Sequence, residues 1–195
     1  MKKMISMLLV LVLALSVFAG CGSTKPTTAP TTAPTTAPTT APTTAPAKTP
    51  LADNMETVAG KIIEKNPVEF MGGCIPVDLT DKSDDGIWAI TYYTGLASGE
   101  KLKEVAVYEP MMGSLAFSMV LVRVNDAADA QSVAQEMTSK IDTRKWICVE
   151  ANDKIVAGYS DTVMLIMLDN TNGLKAQSFV DAFKEICGGE LDFTI

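Results

Sequence analysis

Two apolar runs stand out because both of their alternating faces are greasy. In Leu115 to Val124, Leu115, Phe117, Met119 and Leu121 fall on one face and Val120, Val122 and Val124 on the other. Thr162 to Leu168 repeats the pattern. A strand apolar on both faces belongs at the centre of a sheet. Around these two, Val105 to Tyr108 reads as a strand halted by Pro110, and Trp146 to Glu150 and Ile155 to Tyr159 as two more. Asn152-Asp153 and Ser160-Asp161 supply tight-turn residues at the joints, which require antiparallel neighbours.

Elsewhere the apolar period is helical. Asn54 caps a helix to about Lys65, with Met55, Val58, Ala59 and Ile62 on one face and Pro67 as its stop. Asn125-Asp126 opens a helix to about Ile141, with Ala130, Val133, Ala134, Met137 and Ile141 as its stripe. Asp126 and Asp129 sit at its positive end. Leu174 to Cys187 is a helix with Phe179, Ala182, Phe183 and Ile186 inward, ended by Gly188-Gly189. Asp84 to Thr94 fits a helix capped at Ser83 or Asp84, while Thr91 to Thr94 also fits a strand; the helix is preferred. Gly72-Gly73 breaks the chain before Cys74. The order predicts an α+β domain: a mostly antiparallel sheet of about five strands packed with three to four helices.

That domain spans residues 51–195. Before it the pattern changes twice. Lys2 and Lys3 precede an apolar stretch from Ile5 to Val17 and the small residues Ala19 and Gly20, the order of a signal peptide over residues 1–20. The apolar core is about 13 residues, short of the roughly 20 that a membrane-spanning helix needs. Phe18-Ala19-Gly20-Cys21 resembles the lipobox of bacterial lipoproteins, with Phe18 where the family has leucine. The resemblance implies cleavage before Cys21 and a diacylglyceryl group on its sulfur, which would hold the protein on the outer face of the cytoplasmic membrane. Residues 21–50 then form a linker. Pro-Thr-Thr-Ala recurs five times from Pro26 to Ala45, and a proline at every fourth position excludes helix and sheet. Some 25 residues of polyproline-like spacer reach on the order of 80 Å.

Charge is distributed as unevenly as hydropathy. Four of the 16 basic residues, and none of the 23 acidic ones, lie before residue 51, so the domain carries a net charge of −11. Nucleic acid is excluded as a partner by repulsion. Histidine is absent, which removes Ser-His-Asp and Cys-His catalysis and imidazole metal sites but leaves carboxylate chemistry open. Cys74, Cys148 and Cys187 allow one internal disulfide with one thiol left over, match no metal motif, and read first as buried thiols.

Few residues suggest chemistry. Asp81, Ser83 and Asp85, with Gly86, have the spacing of the first half of an EF-hand loop, but Tyr92 stands where its glutamate belongs; a turn and helix cap explain them too. Asp169 to Gly173 reads as a turn. Met111, Met112, Met119, Met164 and Met167 read as core filling rather than soft-metal ligands. Glu104 and Glu109 flank a strand and could form a carboxylate pair or be exposed strand-end charges. No catalytic residue and no cofactor is assigned.

Tyr108-Glu109-Pro110-Met111-Met112, the apolar strand after it, the helix from Asp126 and the strand pair ending at Leu168 resemble a family of small lipoprotein domains from Gram-positive bacteria, domain of unknown function 4358. It has no established activity, so it implies the fold and no chemistry. The expectation is a tethered, non-catalytic interaction module with an unknown protein or small-molecule partner. A carboxylate-based hydrolase and a weak divalent-cation binder are the alternatives. If the helices pack on one side only, the Val120 and Val122 face stays bare for a partner; if they divide over both, it is covered.

Overall fold

The computed structural model describes residues 48–195; the residues read from the sequence as a signal peptide, Cys21 and the Pro-Thr-Thr-Ala repeats lie outside the described residues. Four helices and six strands follow in the order α1 (Met55–Lys65), β1 (Gly72–Pro76), α2 (Asp84–Thr94), β2 (Leu102–Pro110), β3 (Phe117–Val124), α3 (Ala130–Lys140), β4 (Asp153–Tyr159), β5 (Thr162–Leu168), α4 (Ala176–Cys187) and β6 (Phe193–Thr194). The strands form one sheet in the order β1-β2-β3-β5-β4-β6, and every neighbouring pair is antiparallel. The α+β reading holds, with six strands in place of about five.

β3 and β5 lie at the centre, and every residue of both is buried. Their two faces feed two separate cores. Phe117, Met119, Leu121, Met164, Ile166 and Leu168 pack beneath α1 and α4. Val120, Val122, Val163, Leu165 and Met167 pack beneath α3 and residues of α2, joined by Val77 and Leu79 from the loop after β1. The helices therefore divide over both faces. Val120 and Val122 have no exposed surface, and the bare sheet face considered from the sequence is closed.

The helices end as their sequences dictate. Asn54 accepts the amide N–H of Thr57, and Ser83 that of Gly86, each supplying a cap for a free helix donor. Gly95, at φ 78°, ends α2 in the left-handed region that a side chain disfavours. The 126–141 helix begins as a short 3-10 turn at Ala127–Asp129 capped by Asp126.

Three elements depart from expectation. Gly72-Gly73 begins edge strand β1 rather than breaking the chain. The last residues pair with β4 as β6, where Phe193 lies over Gly158; a Cβ there would stand 2.1 Å from the ring. Residues 146–150 form no strand. β5 has both edges filled by β3 and β4, β6 pairs with β4, and Cys148 takes a φ of 61° that interrupts extended backbone. That segment instead runs across the end of the sheet, held by the Ile147 N–H donating to the Gly113 carbonyl at 3.2 Å.

Covering both faces makes substitution there a test of the layering. Val120→Asp and Val122→Asp should each abolish the cooperative thermal transition, because a carboxylate would be buried without a partner. A variant that still melts cooperatively near the parent temperature would contradict the covered face.

Candidate functional site

With both faces closed, two groups of accessible residues stand at the two ends of the sheet, about 25 Å apart along the eight residues of β3. Other exposed apolar side chains are Ile75 on β1, Ile87 and Trp88 on α2, and Ile195 after β6. The two ends differ in kind.

At one end the chain enters the domain. Arg123, near the end of β3, donates from Nη2 to the carbonyls of Leu51 at 2.9 Å and Asp53 at 2.7 Å, and from Nη1 to Glu104 at 3.2 Å. Glu104 also accepts the N–H of Met55, the first residue of α1. Asp161 lies 3.5 Å from the Arg123 Nε, which has no hydrogen-bond partner of its own. Lys48, assigned by sequence to the linker, packs on the domain: it pairs with Asp192 at 2.8 Å, reaches the Glu190 carbonyl, and lies over the Tyr159 ring. This is a root, made of charge-assisted bonds to backbone.

At the other end, the side chains are apolar and exposed. Met71 precedes β1 and Met111 follows β2; the Met111 N–H donates to the Met71 carbonyl at 2.9 Å. Met71 is 78% exposed, Met111 76%, Ile147 74% and Met112 58%. Single exposed apolar residues are ordinary, but these are tied together by backbone bonds from three segments. The reading of the methionines as core filling holds for Met119, Met164 and Met167, which are fully buried, and fails for Met111 and Met112. Those two follow Pro110 in the β2–β3 turn, where no layer covers them.

Beside this rim a cleft of about 500 Å³ opens between the Pro67–Phe70 segment, Leu115–Phe117 and the Asp169–Leu174 turn. Phe117 is wholly buried, with Phe70 edge-on to it at 5.0 Å. The ionisable groups lining the cleft are Glu69 and Asp169. Hydrogen bonds from the Thr171 amide and hydroxyl hold the Asp169 carboxyl below the usual carboxylate range.

Behind the rim lies a buried ammonium. Lys145 Nζ sits 2.6 Å from Glu109, 3.1 Å from the Ser118 hydroxyl, and over the rings of Tyr92, Tyr93 and Trp146 at 4.7, 5.1 and 5.4 Å. Glu109 Oε1 lies off the hydrogen-bonding direction and has no other partner. Burial, only partly opposed by Glu109, lowers the Lys145 pKa. The cage pins the irregular 142–152 segment to the sheet and so presents Ile147.

The residues singled out from the sequence fare unevenly. Asp81 accepts the Ser83 N–H at 2.9 Å and Ser83 caps α2, so the Asp81, Ser83, Asp85 pattern forms a turn and helix start. Gly86 completes the resemblance to a calcium loop for a packing reason: its Cβ would stand 2.5 Å from the Asp81 carbonyl oxygen. Among the described residues, no three Cys, Asp or Glu side chains converge on a possible metal position. Glu104 and Glu109 lie at opposite ends of β2 and on opposite faces, each beside its own buried base, so they form no pair. Cys187 is buried and Cys74 half-buried, but Cys148 is exposed, against the expectation of burial. Met71, Ile147, Glu69 and Lys145 were not legible as site residues; the one signal was the unbroken apolar pair Met111-Met112 beside Gly113.

No helix among the described residues is long and apolar enough to cross a membrane. Comparison with protein-family models, with curated proteins and with solved structures returns no match.

Two outcomes follow from these burials. Lys145→Met should cost about 3 kcal/mol at neutral pH by leaving Glu109 buried without its counter-charge. In the parent, the unfolded chain binds the Lys145 proton more tightly than the folded one. Its contribution to stability therefore rises with pH from the lowered folded value to about 10.5. Tyr92 and Tyr93, whose pKa values burial raises, pull the other way at the top of that window. Urea titrations of parent and Lys145→Met at a series of pH values isolate the lysine contribution. The thiols should alkylate in the order Cys148, Cys74, Cys187, the last only on unfolding, since burial pushes it up to about 12. Early modification of Cys187, read by peptide mass, would contradict its packing.

Proposed function

We propose that the protein is a membrane-tethered extracytoplasmic lipoprotein of the uncharacterised Gram-positive family it resembles, anchored by diacylglyceryl on Cys21 to the outer face of the cytoplasmic membrane. Its domain is a non-catalytic interaction module that meets its partner through the end bearing Met71, Met111, Met112 and Ile147. The observation that carries this reading is polarity along the sheet: the chain enters at the Arg123 and Lys48 end, and the exposed apolar rim lies at the other. The rim lies at the opposite end of the domain from residues 48–53, so the point where the chain enters does not cover it.

The alternatives draw less support. A carboxylate-based hydrolase requires two acids converging with raised pKa values; Glu104 and Glu109 lie apart, and of the two cleft acids Asp169 is held low by its hydrogen bonds from Thr171. A divalent-cation site at Asp81, Ser83 and Asp85 would have to displace the cap of α2.

Site-specific photocrosslinking on intact cells tests the reading. A photoreactive residue at Met111 should capture a discrete partner, whereas one at Lys103, exposed near the root, should not. Equal capture at both positions, or at Lys103 alone, would reject the rim as the working surface. Metabolic labelling with a fatty acid should mark the parent and spare Cys21→Ser; an unlabelled parent would remove the anchor.

A further inference from the structure

We propose that the cleft beside the rim takes a short cationic, apolar-anchored segment of a partner polypeptide, with its apolar side chains between Phe70, Leu115 and Leu174 and its cations against Glu69 and Asp169. This rests on the interaction-module reading and adds to it the chemistry of the partner.

The lining fixes that chemistry. A cleft of about 500 Å³ lies within the range of about 300–1,000 Å³ typical of ligand sites, so it holds a few side chains and no more. Its accessible apolar wall is the half-buried Phe70, Leu115 and Leu174, with Phe70 held edge-on against the buried Phe117. No basic side chain lines it, and its two ionisable groups are both acids. Glu69 is exposed and has neither ion pair nor hydrogen bond among the described residues, leaving its charge available. Asp169 accepts hydrogen bonds from Thr171 twice and from Asn152 once, which favour its charged form.

The surroundings favour a polypeptide over a small amine. Met71 follows Phe70 directly, and its backbone bond to Met111 carries the apolar surface out of the cleft toward Met112 and Ile147. That is a longer path than a single amine could cover, and methionine adapts to varied apolar shapes. The net charge of −11 on the domain adds a long-range field that draws in basic segments and repels acidic ones.

The test uses the full chain in phosphatidylcholine vesicles, with protein-free vesicles as blank. The probes are a fluorescein-labelled pentapeptide of sequence Lys-Phe-Lys-Leu-Lys and its counterpart with glutamate replacing lysine, with unlabelled phenethylamine as competitor. The basic peptide should bind and the acidic one should not. Glu69→Lys, a change at an exposed position, should weaken binding about tenfold or more, as should Asn172→Lys in the opposite wall, with the circular dichroism spectrum unchanged. Met71→Ser should weaken it less, and raised salt should weaken the parent. Equal binding of both peptides, indifference to both lysine substitutions, or no binding at millimolar peptide would overturn the proposal. Displacement by phenethylamine at the peptide's own dissociation constant would overturn the polypeptide assignment. Capture from Met111 that persists in Glu69→Lys would leave the rim as the working surface and reject only the ligand chemistry.

Discussion

The sheet has no free face because its two middle strands have no polar face. Each of the seven or eight residues of β5 and β3 is buried, so an uncovered side would leave a row of valines or methionines in water. Two helical layers are the consequence, and the chain supplies them in pairs, α1 with α4 and α2 with α3. The polar exceptions on β3 are as informative as the rule. Ser118 near its start and Arg123 near its end each require a partner once buried. Ser118 finds the Lys145 ammonium and Arg123 finds two backbone carbonyls and Glu104. Each thereby fastens an irregular segment to one end of the sheet: 142–152 at one, 48–53 at the other.

Closure of the faces also decides where apolar surface can stay accessible. The sheet edges offer little: β1 is five residues long and ends in Pro76, which has no N–H, and β6 has two residues. What remains is the pair of ends, and they are opposite in chemistry. The root consists of a guanidinium, an ammonium and carboxylates tied to backbone. The far end consists of methionines, an isoleucine and a cleft with two carboxylates. The Lys145 cage belongs to the far end but faces inward. Three rings and Glu109 compensate an ammonium that burial disfavours, and the return is a fixed path for a loop that no strand could hold.

Hydrophobic period was enough to recover all four helices and the central strands, because these elements answer to burial and burial is written as periodicity. The stripe residues Met55, Val58, Ala59 and Ile62, or Ala130, Val133, Ala134 and Met137, are the ones buried. Errors fell where a different physics rules. Trp146 to Val149 is an apolar run with the β-branched residues Ile147 and Val149, as a strand would be, yet pairing depends on a vacant edge, a property of the whole sheet. Gly72-Gly73 has the composition of a break, but an edge strand tolerates glycine when its partner β2 supplies the register. The candidate site was less legible still. Glu69, Phe70, Leu115 and Asp169 are separated by up to a hundred positions, and no local pattern marks them as neighbours. The Asp81, Ser83, Asp85 spacing shows the converse: the oxygens serve a turn, and Gly86 is small because Asp81 leans on it.

Strong acidity and an exposed apolar end belong together physically. Four large side chains left in water forgo roughly 1.5–3 kcal/mol each of possible burial, which makes self-association the default outcome for such a surface. Two copies meeting rim to rim would also bring two domains of net charge −11 together, with Glu69 and Asp169 beside the contact. Like charge opposes that encounter, and a basic partner reverses its sign. Were the rim to meet a basic partner as proposed, the charge excess that opposes rim-to-rim contact would favour that partner.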